Sequence, residues 1–94
     1  MVVGVCTLEL EIPANQDLKG KRRVLQSLMA RVRRTFNVAL AEVGEHDKWQ
    51  WATLAIVSVS TDGAYVHGLL TKVVAGIEEG RSDVNVLDYQ IELL

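Results

Sequence analysis

The sequence predicts an α+β domain of the ferredoxin-like kind, with four strands and two helices in the order β-α-β-β-α-β. Two segments have helical periodicity, four have strand-like alternation, and the length leaves room for one domain. The chain has 94 residues, of which 49% are hydrophobic and 23% charged, as is typical of a single globular domain over residues 1–94. Two right-handed crossovers joined by a central hairpin give a four-stranded antiparallel sheet with both helices on one face.

The first strand is predicted over residues 2–12, where apolar residues alternate along the chain. One face carries Cys6, Leu8, Leu10 and Ile12, and the other carries Val3, Val5, Thr7, Glu9 and Glu11. Pro13 ends this strand because it has no N–H to donate to a sheet. The side chain of Asn15 or Asp17 is then placed to cap the following helix.

The first helix is predicted from Leu18 to about Phe36 and carries most of the positive charge of the chain. Its apolar stripe consists of Leu18, Leu25, Leu28, Met29, Val32 and Phe36. Seven basic residues and no acidic residue lie between Leu18 and Phe36, although the whole chain has a net charge of −2. Lys21 lies beside the apolar stripe, where its aliphatic part is expected to pack while its ammonium group reaches water.

A hairpin of two strands is predicted next. Residues 37–43 form the short second strand, and Gly44 supplies the glycine that the loop up to Asp47 favours. The third strand runs from near Trp49 to Ser60. It places Trp49, Trp51, Thr53, Ala55, Val57 and Val59 on one face and Gln50, Ala52, Leu54, Ile56 and Ser58 on the other. Apolar residues on both faces of its second half predict a central strand.

The second helix begins after Asp62 and is predicted to end at Gly80 in a left-handed conformation. Its apolar positions are Val66, Leu69, Leu70, Val73, Val74 and Ile77. The last strand is predicted from about residue 84 to residue 93. Its residues expected to face the helices are Leu87, Tyr89, Ile91 and Leu93.

The chain resembles the YlxP-like family of small bacterial proteins, which is classed as a domain of unknown function. The resemblance spans nearly the whole length and rests on an opening Val-Gly, on LK-KRRVLQSL and on TFNVALAEV. It continues in Asp47, Trp49, Gln50, Ala52, Leu54, Val59, Ser60 and Asp62. It departs from the family at Asp17, where serine is usual, and at Thr35, where a basic residue is common. The resemblance implies a ferredoxin-like fold and, from the ribosome-maturation and translation factors that accompany such genes, a role near ribosomal RNA.

The first helix supplies the residues expected to bind RNA. They project from one flank of the apolar stripe round to its back: Lys19, Arg22, Arg23, Arg33 and Arg34. Several cations on one rigid helix can contact successive phosphates without reading bases. The alternative is an ordinary solvated helix face whose charge is balanced by the acidic remainder of the chain. Ribosomal RNA is the expected partner under the first interpretation.

The sheet face turned away from the helices suggests a second function, a homo-oligomeric interaction module, most simply a dimer. The residues expected at this interface are Val3, Val5, Trp49, Trp51, Val57 and Val59. Left bare, they form an apolar patch that a partner would cover. Base stacking on this face is disfavoured, because the first and third strands offer no aromatic residue beyond the two tryptophans.

The sequence favours a protein without catalytic residues, metal, cofactor or evident small-molecule substrate. His46, His67 and Cys6 are not spaced as metal ligands or as a nucleophile with its base. The loop of residues 13–17 lacks the glycines and the arginine with which acylphosphatases of the same fold hold phosphate. Cys6 is the only cysteine, and neither an amino-terminal leader nor a membrane-spanning run is recognisable, so a cytoplasmic location is expected.

Overall fold

The computed structural model describes residues 1–94 and contains the six expected elements. They are β1 (Val2–Glu11), α1 (Leu18–Thr35), β2 (Ala39–Gly44), β3 (Trp51–Ser60), α2 (Gly63–Gly80) and β4 (Asn85–Leu93). The strands form one sheet in the order β2-β3-β1-β4, and every neighbouring pair is antiparallel. Both helices pack on one side of this sheet. The ferredoxin-like prediction is therefore confirmed.

The core between the helices and the sheet is aliphatic. The buried positions of β1 and β3 are the alternating ones expected from the sequence: Cys6, Leu8, Leu10, Ala52, Leu54 and Ile56. In α1 the apolar stripe buries Leu25, Leu28 and Val32. No aromatic side chain is fully buried, and Phe36 only packs against the edge of the core. Neither helix combines the length and the apolar character needed to cross a lipid bilayer.

Asp17 and Asp62 begin the two helices. The Asp17 carboxylate accepts a hydrogen bond of 2.6 Å from the Gly20 N–H, and Asp62 accepts one of 2.9 Å from the Ala64 N–H. Asn15, the other candidate cap of α1, instead donates to the carbonyls of Asp17 and Trp49. Its amide therefore joins the loop after β1 to the segment that precedes β3.

The β2–β3 hairpin differs from the prediction in its turn. No glycine in the chain has a positive φ. The one residue with a positive φ is Glu45, at 61°. Gly44 lies instead in β2, at the point where the register with β3 shifts. A left-handed conformation costs a non-glycine residue on the order of 1 kcal/mol, so neighbouring contacts must hold Glu45 there.

The edge strand β4 also departs from a simple alternation. Its register with β1 shifts so that Glu9 pairs with Asp88 and Leu10 with Val86, which leaves Leu87 as the extra residue of a bulge. Leu87 is 53% exposed, whereas Val84 is buried and Val86 packs against the core. The expectation that Leu87 covers the helix side was therefore wrong.

Two glycines give opposite predictions for substitution by alanine. A Cβ on Gly4 would collide with the side chains of Val66 and Leu70, whereas a Cβ on Gly68 would meet nothing within 4 Å. We expect Gly4→Ala to lower the free energy of unfolding by about 1–3 kcal/mol through overpacking. Gly68→Ala should raise it by about 0.5–1 kcal/mol, because alanine favours a helix interior. Urea denaturation followed by circular dichroism measures both, and a Gly4→Ala protein as stable as the parent would contradict the packing described here.

Candidate nucleic-acid interface

The orientation of α1 decides which of its charged side chains meet solvent. Because Leu25, Leu28 and Val32 are buried against the sheet and α2, the opposite side of the helix faces outward. Besides Arg31, whose guanidinium group bonds to the end of α2, the exposed cations of α1 are the five expected from the sequence, Lys19, Arg22, Arg23, Arg33 and Arg34. We call this set the basic face. It spans the helix from its first turn to its last.

The basic face consists of two groups of cations. Lys19, Arg22 and Arg23 lie near the amino-terminal end of α1, and Arg33 and Arg34 lie in its last turn. Arg22 and Arg33 are three helical turns apart, so they project in similar directions at a separation of about 16 Å along the axis. A contact surface of this length matches a run of several backbone phosphates better than a single small anion.

None of these five cations is neutralised within the molecule. The structure contains two ion pairs, Lys21 with Glu42 and Arg81 with Asp83, and neither involves the basic face. Arg33 alone makes a hydrogen bond, of 3.0 Å, from its guanidinium group to the carbonyl of Leu40. That bond orients Arg33 against β2 and leaves its charge uncompensated. The basic face is thus a cationic surface free to meet a partner.

Lys21 differs from the other α1 cations because it is buried, with only 1% of its surface exposed. Its ammonium group donates to the carbonyls of Glu45, His46 and Trp51, at 2.7, 3.3 and 3.1 Å. An ammonium group has three N–H donors, so these three carbonyls can satisfy it fully. The expectation that Lys21 reaches water was therefore wrong. Lys21 holds the β2–β3 hairpin and does not belong to the basic face.

Glu42 supplies the opposite charge for Lys21. One carboxylate oxygen of Glu42 lies 3.0 Å from the Lys21 ammonium nitrogen, yet this oxygen is buried and makes no hydrogen bond. The contact is therefore an ion pair that acts through charge, because its geometry is not that of a hydrogen bond. A buried cation with a half-buried anion beside it stabilises the fold only while both are present.

Arg31 is a cation of α1 that the sequence did not assign to any site. It donates from its guanidinium group to the carbonyl of Gly80 at 2.8 Å, at the end of α2. A Cβ on Gly80 would lie 2.7 Å from that guanidinium nitrogen, so the glycine makes room for Arg31. Gly80 is helical and has no positive φ, so the prediction of a left-handed helix end was wrong. Only the packing of α1 against the end of α2 reveals this contact.

The open face, which is the sheet surface opposite the helices, carries the residues expected at a protein interface. Val3 pairs with Val59 and Val5 with Val57 across β1 and β3, which forms an apolar strip along the centre of the sheet. Val59 is 60% exposed and Trp51, at the start of β3, is 44% exposed. Trp49 is exposed too, but it lies in the hairpin before β3, so strand pairing does not place it on this face.

The open face is acidic and holds no lysine or arginine. Its polar half lies along β1 and β4, where Glu9 pairs with Asp88 and Val5 with Glu92. Glu9 also accepts a hydrogen bond of 2.8 Å from the Thr53 hydroxyl. A polyanion is repelled from such a surface, whereas the basic face on the other side attracts it. The molecule therefore has two sides of opposite charge.

The remaining reactive side chains stay apart from one another. Cys6 is fully buried, and burial raises the pKa of its thiol to about 11, so it is protonated at neutral pH. His46 lies beside the carbonyl of Glu42 at the hairpin, and His67 is exposed on α2. No group of three or more histidine, cysteine, aspartate or glutamate side chains is gathered closely enough to hold a metal ion.

Comparison with known proteins places the chain in a family. Residues 3–91 match the family described as "Protein of unknown function (DUF503)", and the chain belongs to this family. It is similar to the Bacillus subtilis (strain 168) protein named "Uncharacterized protein YlxP", with 34% identity over 77 residues. These residues cover 82% of this chain and 84% of that protein. The resemblance to YlxP-like proteins is thereby confirmed.

Proposed function

We propose that this protein is a non-catalytic factor that binds structured RNA through the basic face of α1. The partner expected from the family resemblance is ribosomal RNA, which makes a ribosome-associated role in the cytoplasm the working hypothesis. One observation carries the proposal: five cations lie on one exposed helix, and no carboxylate of the same molecule pairs with any of them.

The proposed contacts are with phosphates. Cations on a helix surface bind backbone oxygens and fix the position of the protein, but they carry little sequence information. The acidic open face offers Trp51 as its single tryptophan at the start of β3, and so lacks the set of aromatic side chains with which related folds read single-stranded bases. The protein is therefore expected to recognise the shape and backbone of folded RNA and to bind related sequences with similar affinity.

The salt dependence of binding tests the proposal. Fluorescence anisotropy with a labelled, structured ribosomal RNA fragment should show that affinity falls steeply between 50 and 300 mM KCl. Four to five phosphate contacts give a slope of roughly −3 to −4 in a plot of log affinity against log salt concentration. A slope near zero, or no binding at 50 mM KCl, would exclude the basic face as an RNA site. Crosslinking in cells followed by sequencing of the recovered RNA then identifies the target.

A second candidate function is supported by the apolar strip of the open face. A homodimer formed there buries Val5, Val57 and Val59 of each copy and removes an exposed hydrophobic patch. Sedimentation velocity at about 100 µM protein tests this candidate. A dimer that Val57→Glu converts to a monomer supports it, with Thr71→Glu on the exposed side of α2 as the control. A monomer at every concentration contradicts it. Both functions can coexist, since the two surfaces lie on opposite sides of the sheet.

A further inference from the structure

Beyond the basic face, a second cationic feature lies where α1 meets the end of α2. Seven residues line an open hollow of about 440 Å³, and none is hydrophobic: Ser27, Arg31, Arg34, Gly80, Arg81, Ser82 and Asp83. Three arginines, from α1 and from the segment that joins α2 to β4, thus line the same hollow. We call this feature the arginine hollow.

Two of the three arginines are held in place by contacts within the protein. Arg31 is fixed by its bond to the Gly80 carbonyl. Arg81 donates to the Ser27 hydroxyl at 2.8 Å and makes two hydrogen bonds to Asp83, at 2.8 and 2.7 Å. A guanidinium group has five N–H donors, so Arg31 and Arg81 keep donors to spare after these contacts. Arg34 makes no hydrogen bond within the protein, and all its donors are available.

The charge balance of the hollow selects the kind of anion. Three arginines and one aspartate give a net charge of +2. Arg81 lowers the pKa of the Asp83 carboxyl through their hydrogen bond, so Asp83 is ionised at neutral pH. The ligand that matches two positive charges and several N–H donors is a phosphate monoester, which carries close to two negative charges and three terminal oxygens. An internal phosphodiester has one charge and two such oxygens.

We propose that the arginine hollow binds a terminal phosphate group, and that on RNA it holds the phosphorylated end of a strand whose backbone crosses the basic face. This second part rests on the proposed function, and Arg34, which lies in both features, is where they join. The hollow itself requires only a phosphate monoester. Exposed Glu78 and Glu79 and the negative end of α2 repel an anion in the hollow and so reduce the gain that the arginines provide. We therefore expect a terminal phosphate to raise RNA affinity by only about tenfold.

Matched RNA ends test this inference. One short hairpin RNA is prepared with a 5′-phosphate, with a 3′-phosphate and with hydroxyls at both ends, and anisotropy is measured at 100 mM KCl. We expect one phosphorylated form to bind about tenfold more tightly than the hydroxyl form. Ser82→Asp should abolish this difference, because it places a negative charge in the hollow without removing any arginine contact. Thr61→Asp, an exposed change far from the hollow, should preserve it.

Inorganic phosphate separates the two parts of the inference. Titration of the protein with phosphate, followed by NMR, should shift the amides of residues 80–83 in the parent protein and not in Ser82→Asp. If all three RNA forms bind equally and phosphate shifts no amide there, the hollow is not a phosphate site, while salt-sensitive RNA binding would still support the basic face. If phosphate binds and no RNA does, the hollow is a site for another phosphorylated ligand and the RNA proposal is wrong.

Discussion

The double substitution Arg22→Glu, Arg23→Glu is expected to weaken binding to structured RNA on the order of 100-fold at 100 mM KCl. Each change replaces an attraction to a phosphate by a repulsion, and each such contact is worth about 1 kcal/mol in a solvated site. The slope of log affinity against log salt concentration should also become shallower by about 2, since two phosphate contacts are lost. Neither arginine makes a hydrogen bond or an ion pair within the protein, so the fold should be unaffected.

A matched control separates the basic face from a simple effect of net charge. Lys48→Glu, Lys72→Glu makes the same change in net charge with two exposed lysines, one in the hairpin and one on α2. This variant should lose affinity less than about fivefold, because a screened charge away from the contact contributes little. Equal losses in the two variants would mean that the protein attracts RNA through its overall field, and the basic face would no longer be the site.

The sequence predicted the parts of this fold that depend on local periodicity. Alternation places Leu8 and Leu54 in the core because neighbouring side chains of a strand point to opposite faces, whatever the strand pairs with. The helical period gave the buried stripe of α1 for the same reason, and therefore also the outward position of Arg23 and Arg34. These features follow from the chain's own geometry and need no knowledge of its neighbours.

The wrong predictions all concern residues whose conformation a distant part of the chain decides. The bulge at Leu87 depends on how β4 pairs with β1. Glu45 takes the left-handed position beside Gly44 because its carbonyl, turned inward, meets the ammonium group of Lys21 on α1. Gly80 stays helical because Arg31 reaches its carbonyl from the other helix. No pattern within a window of ten residues contains this information.

The same limit applies to the candidate site. Helical spacing identified which cations leave the core side of α1 and placed Lys21 beside the apolar stripe, apart from Lys19, but it did not predict that the Lys21 ammonium group turns inward. Lys21 is buried among three carbonyls and Lys19 is exposed. The arginine hollow was likewise missed, because Arg81 is far from Arg31 in sequence and only the packing of the two helices brings them together.

Substitution of Lys21 by methionine is expected to lower the free energy of unfolding by about 3 kcal/mol. Methionine keeps most of the apolar stem, so the packing of α1 is preserved and the loss reports the ammonium group itself. Its removal leaves the carbonyls of Glu45 and Trp51 without their donor and the Glu42 carboxylate beside them without a cation. Breaking a buried ion pair from one side costs about 3–5 kcal/mol, and partial exposure of Glu42 puts the expected value at the lower end.

Urea denaturation followed by circular dichroism measures this loss, and Lys19→Met provides the control on the same helix. Lys19 is exposed, and its ammonium group makes no hydrogen bond or ion pair within the protein. Its substitution should therefore change stability by less than about 0.5 kcal/mol. Equal stabilities of the two variants would show that the ammonium group of Lys21 does not hold the hairpin.

The double variant Lys21→Met, Glu42→Gln shows how the effect is divided. If the orphaned carboxylate causes much of the loss, removing its charge recovers about 1–2 kcal/mol, and the two substitutions are not additive. If the loss of stability comes instead from the carbonyls that lost their ammonium donor, the double variant is no more stable than Lys21→Met alone. Removing the charge of Glu42 does not restore that cation to the turn. In either case RNA affinity per folded molecule should be unchanged, since Lys21 is buried on the core side of α1 and the basic face remains intact. A stability defect without a binding defect is the result that assigns the two kinds of α1 cation to separate roles.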